Sequence, residues 1–511
     1  MALVVGGHFT RVSREYIILF AAIILLYAWT KRTLSLTIIG ISQKLFRDLR
    51  QQILSLVLKA SYRQLSDRKT QVQAAIVNDV NTLTQTSLTV IDFFTSLILS
   101  VSCLVYLATI SASLFFITLG VTLLGMSVYY LNSKRNIHEF EKARGLESTF
   151  LKHFNAIING FKEIYMAPVK GWTIYNEKIV PVSGEVYENN TRAFTGFINN
   201  QMTGQLLFYL LITSILLLFS MLLHIPADNI IRFIFTLLYL LGAVEMVMAL
   251  LPGLARARVA ANHLLELKTE LEQAGFNSRL PDKHFLKSTF NSITVKDLQF
   301  QYSSQTDAFG IGPVDFTLNK GEVIFVYGGN GSGKTTFMYT LLGLYMPAAG
   351  EIRLNNQLVT HDNYPEYRTL FAVVFSDFYL FDELLDVAEA NLVRWNDYLQ
   401  LFELKGKVSL DGKQFSTTGL STGQRKRLGL IAALLEDKPV LVMDEWAADQ
   451  DPHFRKKFYT EILPVLKQEG YTIIAITHDD RYYHCADKLY KMDSGLLLLE
   501  DIAVYGNSFA S

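Results

Sequence analysis

The chain has 511 residues, of which 50% are hydrophobic and 18% are charged, so it is long enough for several domains and too hydrophobic to be disordered. Lys plus Arg and Asp plus Glu number 47 each, so the chain lacks the general basic charge of a nucleic-acid-binding protein. The two cysteines, Cys103 and Cys485, exclude a disulfide scaffold and have no metal-ligand spacing, and both are interpreted as small buried hydrophobic residues.

Charge is divided unevenly along the chain. Residues 1–275 hold 24 basic and 17 acidic side chains, and residues 276–511 hold the remaining 23 basic and 30 acidic ones. The first part is therefore positive and poor in charge, whereas the second has the charge density of a soluble domain. This pattern predicts a transmembrane domain over 1–275, a linker over 276–293 and a soluble domain over 294–511.

Several apolar segments of the first part are long enough to cross a membrane as helices. No residue between Phe93 and Ser133 is charged, and this run is about twice the ~20 residues that span a bilayer, which predicts two helices joined by a tight hairpin. The five predicted spans are 16–41, 92–110, 112–133, 206–224 and 230–251.

The connections between the spans predict their orientation. Residues 31–91 and 134–205 contain nine Lys or Arg each, whereas the short connections on the opposite side contain none. Because basic loops stay in the cytoplasm, both long connections and the chain after Leu251 are predicted to be cytoplasmic. Apolar residues recur three and four positions apart in these connections, so we expect the membrane helices to extend into the cytoplasm.

One acidic residue, Glu245, falls deep inside a predicted span. An intramembrane carboxylate is costly and indicates a polar pathway or a buried partner. Glu245 is also only about 10 Å of helical rise from the cytoplasmic end of its span, where it could face water. Both interpretations stay open.

The second part contains a phosphate-binding loop. The β-type run Val323–Tyr327 is followed at once by GGNGSGKT (328–335), which matches G-x-x-x-x-G-K-[ST] in the strand–loop–helix context that this motif needs. Backbone N–H groups of such a loop surround phosphates, Lys334 reaches the β- and γ-phosphates, and Thr335 offers a hydroxyl to Mg²⁺. The predicted ATP-binding residues of the loop and the following helix are Gly328, Asn330, Gly331, Ser332, Gly333, Lys334, Thr335 and Thr336.

Two more predicted strands end in candidate catalytic residues. Pro439–Met443 runs into Asp444 and Glu445. A strand that delivers a carboxylate to the metal is the expected partner of a phosphate-binding loop, so Asp444 is predicted to bind Mg²⁺ and Glu445 to activate water as a general base. A third strand over 471–477 ends at His478, whose position beside two phosphate-facing strand ends favours γ-phosphate contact over a structural role.

A second anion-binding segment lies between the loop and the acidic strand. Residues 420–424 (LSTGQ) precede a helix-like stretch over 429–436. Ser421 and Gly423 before a helix can form a nest of N–H groups, to which the helix dipole adds. One site does not need two phosphate cradles, so the sequence predicts ATP held between two copies of the chain.

Together these motifs resemble those of an ABC transporter half-exporter, and the resemblance covers nearly the whole chain. It implies an α-helical transmembrane domain of the ABC exporter type, followed by an α/β P-loop ATPase domain of the ABC type. By this resemblance, 328–335 is the Walker A loop, 420–424 (with Ser421, Gly423 and Gln424) the signature, 440–445 Walker B, Asp451 the D-loop aspartate and His478 the switch histidine.

Some positions match the family pattern less closely. Tyr302, 26 residues before Gly328, is the best match for the aromatic residue that stacks on adenine, and its alternative is a strand tyrosine in the core. Where the superfamily has a Q-loop glutamine, this chain has Ser376 and Asp377, and either is a candidate contact to Mg²⁺ or water. Trp446 replaces a common proline, with no consequence predicted from the sequence.

Three short sequence segments resemble those of a narrower group of exporters within this family. SDFYLFD (376–382), LSTGQRKRL (420–428) and DEWAADQDP (444–452) are similar to those of bacterial exporters of cyclic peptides and peptide siderophore precursors, including pyoverdine-type exporters. The implied function is ATP-driven export of a peptide or peptide-derived siderophore or secondary metabolite by alternating access. The implied setting is the bacterial inner membrane, with the ATPase domain cytoplasmic, a second copy of the chain as partner, a peptide-like substrate and no nucleic acid.

Alternatives remain at this level. A lipid flippase or multidrug exporter would use the same machinery, and a non-transporting ATP-binding membrane regulator would use domain closure only as a signal. Exporters of this type usually have six spans per chain, and five are predicted here. Met1–Phe9 could be the end of a missing first helix, which would also account for Arg11 and Arg14 outside the membrane.

Overall fold

The computed structural model describes residues 14–219, 226–273, 290–302 and 309–502. Met1–Phe9, most of the predicted linker and the end of the predicted span 206–224 therefore lie outside the described residues. The chain divides into two compact units at 274/275, apart from Ser61–Arg63, which group with the second unit.

The first unit is helical, and we call it the membrane unit. Five of its described helices are long and apolar enough to cross a membrane. Its helices are α1 (Arg14–Lys59), α2 (Tyr62–Ala74), α3 (Val80–Ile110), α4 (Ala112–Asn159), α5 (Phe161–Met166), α6 (Pro168–Ile174), α7 (Val180–Ser214) and α8 (Ala227–Gln273). Helix α1 runs on for 18 residues beyond the predicted end of its span at 41, and α3 and α4 meet at Ser111, where the hairpin is predicted.

The long helices pack through small apolar clusters rather than one large core. One cluster lies near the α3–α4 hairpin and includes Leu107, Leu114 and Phe233. Another lies far along the helices and joins α4, α7 and α8 through Phe140, Phe197 and Val259. Apolar side chains of α1 such as Ile24 and Leu25 are instead exposed, as expected for a surface in contact with lipid.

A buried carboxylate before α3 is bonded to side chains of α4 and α8. Asp79 ends a π-helical segment, Ala75–Asp79, and is 1% exposed. Both its carboxylate oxygens accept hydrogen bonds from Arg144 of α4, at 2.6 Å from Nε and 2.7 Å from Nη2. His263 of α8 places its Nδ1 2.7 Å from Oδ2 of the same carboxylate. We call these three residues the Asp79 cluster.

The second unit is an α/β domain, and we call it the ATPase unit. Its strands are β1 (Ser292–Gln301), β2 (Gly310–Asn319), β3 (Val323–Gly328), β4 (Ala349–Leu354), β5 (Gln357–Leu358), β6 (Phe371–Val374), β7 (Leu410–Asp411), β8 (Gln414–Phe415), β9 (Val440–Asp444), β10 (Thr472–Ile476), β11 (Lys488–Asp493) and β12 (Leu496–Glu500). Strand β1 begins two residues before the predicted domain start at 294.

The helices of the ATPase unit are shorter than those of the membrane unit. They are α9 (Lys334–Leu341), α10 (Tyr364–Arg368), α11 (Trp395–Leu401), α12 (Thr422–Leu435), α13 (Pro452–Lys457) and α14 (Leu463–Gln468). A six-stranded sheet has the order β12-β11-β3-β10-β9-β6, and a four-stranded sheet has the order β2-β1-β4-β5.

The six-stranded sheet is covered on both faces. Alternate side chains of a strand point to opposite faces, and in β3 Phe325 joins one hydrophobic core while Ile324 and Val326 join the other. Strand β10 divides in the same way, with Ile473 on one face and Ile474 on the other. Parallel strands buried on both faces read as continuous apolar runs, which is why the sequence shows these strands so clearly.

Candidate nucleotide site

The predicted catalytic residues meet at one edge of the six-stranded sheet. Strands β3, β10, β9 and β6 are mutually parallel neighbours, so their carboxyl ends lie side by side. The phosphate-binding loop follows β3, Asp444 ends β9, His478 follows β10 and Ser376 follows β6. Ligands of open α/β sheets bind at this edge, because the loops there can bring side chains from different strands together.

The loop after β3 takes a conformation that only glycine accommodates at two points. Gly333 has a φ of +111°, and a side chain there would lie 2.8 Å from a methyl group of Ile311. Gly328 has a φ of +153°, and a β-carbon would lie 2.2 Å from the carbonyl oxygen of Met492. The glycines of the motif therefore allow both the turn and the close packing of the loop on β11.

A cavity of about 590 Å³ lies over this loop. Its lining comprises Tyr302, Phe309, Asn330, Gly331, Ser332, Gly333, Lys334, Thr335, Thr336 and Glu445. The structure thus brings most of the predicted loop residues together with Tyr302 and Glu445. Among the described residues, Ser421, Gly423, Gln424 and Asp451 are not part of this lining.

Lys334 begins α9 and is 5% exposed. Its Nζ donates hydrogen bonds to the carbonyl oxygens of Gly328, at 2.9 Å, and Gly329, at 3.0 Å. Burial lowers the pKa of Lys334, and the nearby carboxylates of Glu445 and Asp444 oppose that shift. The ammonium group is therefore held over the loop, between backbone carbonyls and the two acids at the end of β9.

Asp444 is a buried acid whose carboxylate lacks a hydrogen-bond partner among the described residues. It is 1% exposed, and neither carboxylate oxygen has a hydrogen bond of normal geometry within the described residues. Burial raises its pKa, while Ser376 lies close enough to lower it without forming a full hydrogen bond. A buried carboxylate with free oxygens fits a hard cation such as Mg²⁺, with the exposed hydroxyls of Ser376 and Thr335 as further oxygen donors.

Glu445 and His478 form a pair at this edge. His478 Nε2 lies 3.1 Å from Glu445 Oε1, and both side chains are partly exposed. Glu445 has a φ of +47°, which is unusual for a residue other than glycine, and its N–H donates to the carbonyl oxygen of Ile476. Asp377, the other candidate at the Q-loop position, is exposed beside Ser376.

The signature segment differs from its predicted form. Helix α12 begins at Thr422, so Gly423 and Gln424 lie in its first turn and not in a nest before a helix that starts at Gly429. Ser421 is the N-cap residue, and it exchanges hydrogen bonds with Gln424 in a capping box. Helix α12 begins at the signature because the capping box forms its N-terminus there. The N–H groups of its first turn point outward from that N-terminal end.

Asp451 also caps a helix. Its carboxylate accepts a hydrogen bond from the backbone N–H of Phe454 in α13 at 2.9 Å and another from Arg427 of α12 at 2.9 Å. The hydrogen bond from Phe454, followed by the charge of Arg427, holds the pKa of Asp451 below its usual value. Asp451 is thereby bound to the signature helix of its own chain.

Tyr302 lies at the end of β1 with its ring half-exposed. Its hydroxyl group is 3.0 Å from the hydroxyl of Thr336, and its ring meets Phe300 edge to face at 5.2 Å. The structure therefore places Tyr302 at the cavity and not inside the core, with one ring edge fixed by aromatic packing.

Sequence reasoning misses several buried charged and aromatic residues beside this site. They are Lys426, Arg427, Trp446 and the polar Gln450, each less than 10% exposed, together with the partly exposed Arg455. Trp446, for which the sequence predicts no consequence, donates its indole N–H to the carbonyl oxygen of Lys426 at 2.8 Å. The run of basic residues at 425–427 was the only available signal, because nothing in a sequence shows which basic side chain of a helix turns inward.

Three comparisons with known proteins agree with this arrangement. Residues 311–448 match the family model described as ABC transporter. The chain is 34% identical to the ATP-binding protein SyrD of Pseudomonas syringae pv. syringae over 404 residues, which cover 77% of this chain and 71% of that protein. It is also 31% identical to the energy-coupling factor transporter ATP-binding protein EcfA1 of Staphylococcus aureus, over 42% of this chain and 82% of that one.

A solved structure shows the same fold along the whole chain. A bacterial Atm1-family ABC exporter with ATP bound superposes with a TM-score of 0.80, covering 100% of this chain and 93% of the other at 15% identity. The helical unit and the α/β unit therefore both belong to one known architecture. The chain belongs to the ABC transporter family, as a half-exporter that couples ATP hydrolysis in a cytoplasmic domain to transport through a multi-pass domain of the bacterial inner membrane.

Proposed function

We propose that the chain exports a peptide or a peptide-derived siderophore or secondary metabolite, working as a dimer of two identical chains. The three strings quoted above resemble those of peptide and peptide-siderophore exporters. The structural observation that carries the proposal is a pair of cavities in the membrane unit that share Met248, one apolar and one lined by both polar and apolar groups, which suits a cargo with both kinds of surface.

The apolar cavity has a volume of about 440 Å³ and lies among α3, α4, α7 and α8. Its walls include Leu97, Leu207 and Val247, and the hydroxyl oxygen of Tyr129, on a lining residue, is buried without a hydrogen-bond partner in the described residues. Volumes of this order hold side chains or short acyl groups. A buried hydroxyl without a partner can be satisfied by a polar group of a ligand.

The neighbouring cavity, of about 470 Å³, is lined by polar groups as well as apolar ones. Gln85, Gln201 and Arg256 contribute amides and a guanidinium group, and Met248 lines both cavities. Backbone amides and carboxylates of a peptide are acceptors and donors of the kind that these side chains bind. Glu245 is not part of either lining.

The site residues of the ATPase unit have separate proposed roles in ATP binding and hydrolysis. Lys334 and the loop N–H groups bind the phosphates of ATP, and Tyr302 stacks on the adenine. Glu445 takes a proton from the attacking water, while His478 orients Glu445 and binds the γ-phosphate. Asp444, Thr335 and Ser376 would hold Mg²⁺, which neutralises phosphate charge when it is bound.

The dimer follows from the separation of the two phosphate-binding segments. Ser421 and the first turn of α12 do not line the cavity over the loop of their own chain. We therefore assign Ser421, Gly423, Gln424 and Asp451 to the ATP held by a second copy. Closure of the two ATPase units on ATP would then drive the change of access in the membrane units.

Reconstitution in liposomes tests this function. Wild type should hydrolyse ATP faster with one member of a panel of cyclic and siderophore-like peptides and should transport that peptide, whereas Glu445→Gln should lose hydrolysis. Val247→Trp should fill the apolar cavity and remove the stimulation while leaving basal hydrolysis.

The matched control is Val105→Trp, the same replacement at a side chain that is 62% exposed on α3. It should leave both activities unchanged. Stimulation by lipids or unrelated drugs, with none by peptides, would replace the proposal by the flippase or multidrug alternative. Nucleotide-dependent partner binding without any flux would favour the regulator.

A further inference from the structure

Lys426 is a buried basic residue near the N-terminus of α12, the helix that begins at the signature. Its side chain is 4% exposed, and its Nζ lies 2.7 Å from Oδ2 of Asp449. The same Nζ donates a hydrogen bond of 3.3 Å to the backbone carbonyl oxygen of Glu445. A buried ammonium is costly unless its hydrogen bonds are satisfied, so these two contacts fix where the side chain can lie.

The backbone carbonyl of Glu445 and the indole side chain of Trp446 are both hydrogen-bonded to Lys426. Glu445 has left-handed backbone angles, a strained conformation for such a residue that its surroundings must maintain. Trp446 donates its indole N–H to the main-chain carbonyl of Lys426, and its ring packs on Phe458 at 4.5 Å between centroids. Lys426 thus holds residue 445 through its side chain and residue 446 through its main chain.

The same helix end binds the next residues of the D-loop. Arg427 donates from Nε to Oε1 of Gln450 at 2.8 Å, and Gln450 donates from Nε2 to the carbonyl oxygen of Gly423 at 3.2 Å. Asp449, Gln450 and Asp451 are therefore each bonded to α12. Hydrogen bonds and ion pairs therefore connect the signature helix, Glu445 and the D-loop within a single chain.

We propose that Lys426 is a positioning residue for ATP hydrolysis, holding Glu445 and the D-loop in one geometry with the signature helix. The proposal rests on the proposed role of Glu445 as general base. Lys426 does not line the nucleotide cavity, so it positions Glu445 through the hydrogen bond to its backbone carbonyl. Its positive charge also acts on the nearby carboxylate of Asp444. Any shift of the signature helix when the two ATPase units close would then also move Glu445, the general base of the same chain.

The test is Lys426→Met, which keeps the length and apolar stem of the side chain and removes its charge and hydrogen bonds. We expect kcat to fall about 10- to 100-fold, because a small displacement of a catalytic group is costly, with the KM for ATP within about twofold. The matched control is Lys456→Met, at an exposed lysine of α13, which should keep wild-type kcat.

A double variant separates positioning from general damage. In single-turnover hydrolysis, Lys426→Met should cause little further loss in a Glu445→Gln background, because the group it positions is already gone. Losses that multiply, or a raised KM with unchanged kcat, would overturn the proposal. Glu445→Gln alone reports separately on the base: if it keeps full activity, the assignment of Glu445 fails irrespective of Lys426.

Trp446→Phe gives a second test if Lys426→Met does not fold. It keeps an aromatic ring and removes only the hydrogen bond to the main chain of Lys426. We expect a smaller fall in kcat, about two- to fivefold, again absent in the Glu445→Gln background. If Lys426→Met does not fold, an unchanged kcat in a folded Trp446→Phe protein would by itself overturn the positioning role.

Discussion

Buried charge is handled differently in the two units of this chain. In the membrane unit, Asp79 has both carboxylate oxygens bonded to Arg144 and one also in contact with His263. In the ATPase unit, Asp444 is equally buried but lacks a full hydrogen bond in the described residues. A satisfied buried charge joins helices, whereas an unsatisfied one is costly to keep and indicates a ligand site.

Removing the unsatisfied charge should have the largest effect on activity. Asp444→Asn should lower metal-dependent ATP hydrolysis about 100- to 1000-fold, because the oxygen that meets the cation loses its charge. Hydrolysis of ATP by reconstituted protein over a range of Mg²⁺ concentrations measures this. Activity within a few fold of wild type would contradict the assignment of Asp444.

The same replacement should stabilise the protein in metal-free buffer. Burial raises the pKa of Asp444, so the folded state keeps its proton at pH values where the unfolded state has lost it, and stability falls as pH rises through that window. At neutral pH the burial of this acid therefore lowers stability, and Asn removes this cost. The midpoint of thermal unfolding in EDTA should rise above that of wild type, and the difference should shrink as pH is lowered.

Breaking the satisfied cluster should have the largest effect on stability. Asp79→Ala leaves the guanidinium of Arg144 buried without its carboxylate, which should cost about 3–5 kcal/mol. Thermal unfolding in detergent and the yield of folded protein measure this. Asp79→Leu combined with Arg144→Met should recover most of the loss, because it removes both charges, and a double variant as unstable as Asp79→Ala would contradict the pairing argument.

A moderate effect is expected at the rim of the nucleotide cavity. Tyr302→Ala should weaken ATP binding about tenfold, in the range of ~1–3 kcal/mol that aromatic–base stacking contributes. Tyr302→Phe keeps the ring and loses only the contacts of the hydroxyl with Thr336 and Tyr345, so its affinity should stay within about twofold of wild type. Titration with a fluorescent ATP analogue measures both, and an unchanged affinity in Tyr302→Ala would contradict stacking of Tyr302 on the adenine.

The sequence predicts the catalytic edge well and the bonding around it poorly. Strands β3, β9 and β10 are predicted to within about two residues, because both faces are buried and the runs are continuously apolar. The start of α12 and the partners of Lys426 could not be predicted in this way. They depend on a capping box and on contacts between residues about 20 positions apart, which leave no periodic pattern.

The same limit applies to the membrane unit. Uncharged runs predict where helices cross the bilayer, and the hairpin at Ser111 lies where the run over 93–133 has its polar centre. The Asp79 cluster joins residues 65 and 184 positions apart in the chain, and each looks like an ordinary charge on a cytoplasmic helix. Only the packing of the segment before α3 against α4 shows that the charges of Asp79 and Arg144 are largely buried.

An exposed ion pair of the membrane unit provides the contrast to the buried pair of Asp79 and Arg144. Arg192 and Glu188 of α7 lie 3.0 Å apart, four residues apart on the helix, with both side chains more than 60% exposed. Water screens such a pair, so Arg192→Ala should lower stability by only about 0.3–0.5 kcal/mol. Thermal unfolding beside Arg144→Ala measures the contrast, and equal losses would show that burial does not govern what a charge contributes in this unit.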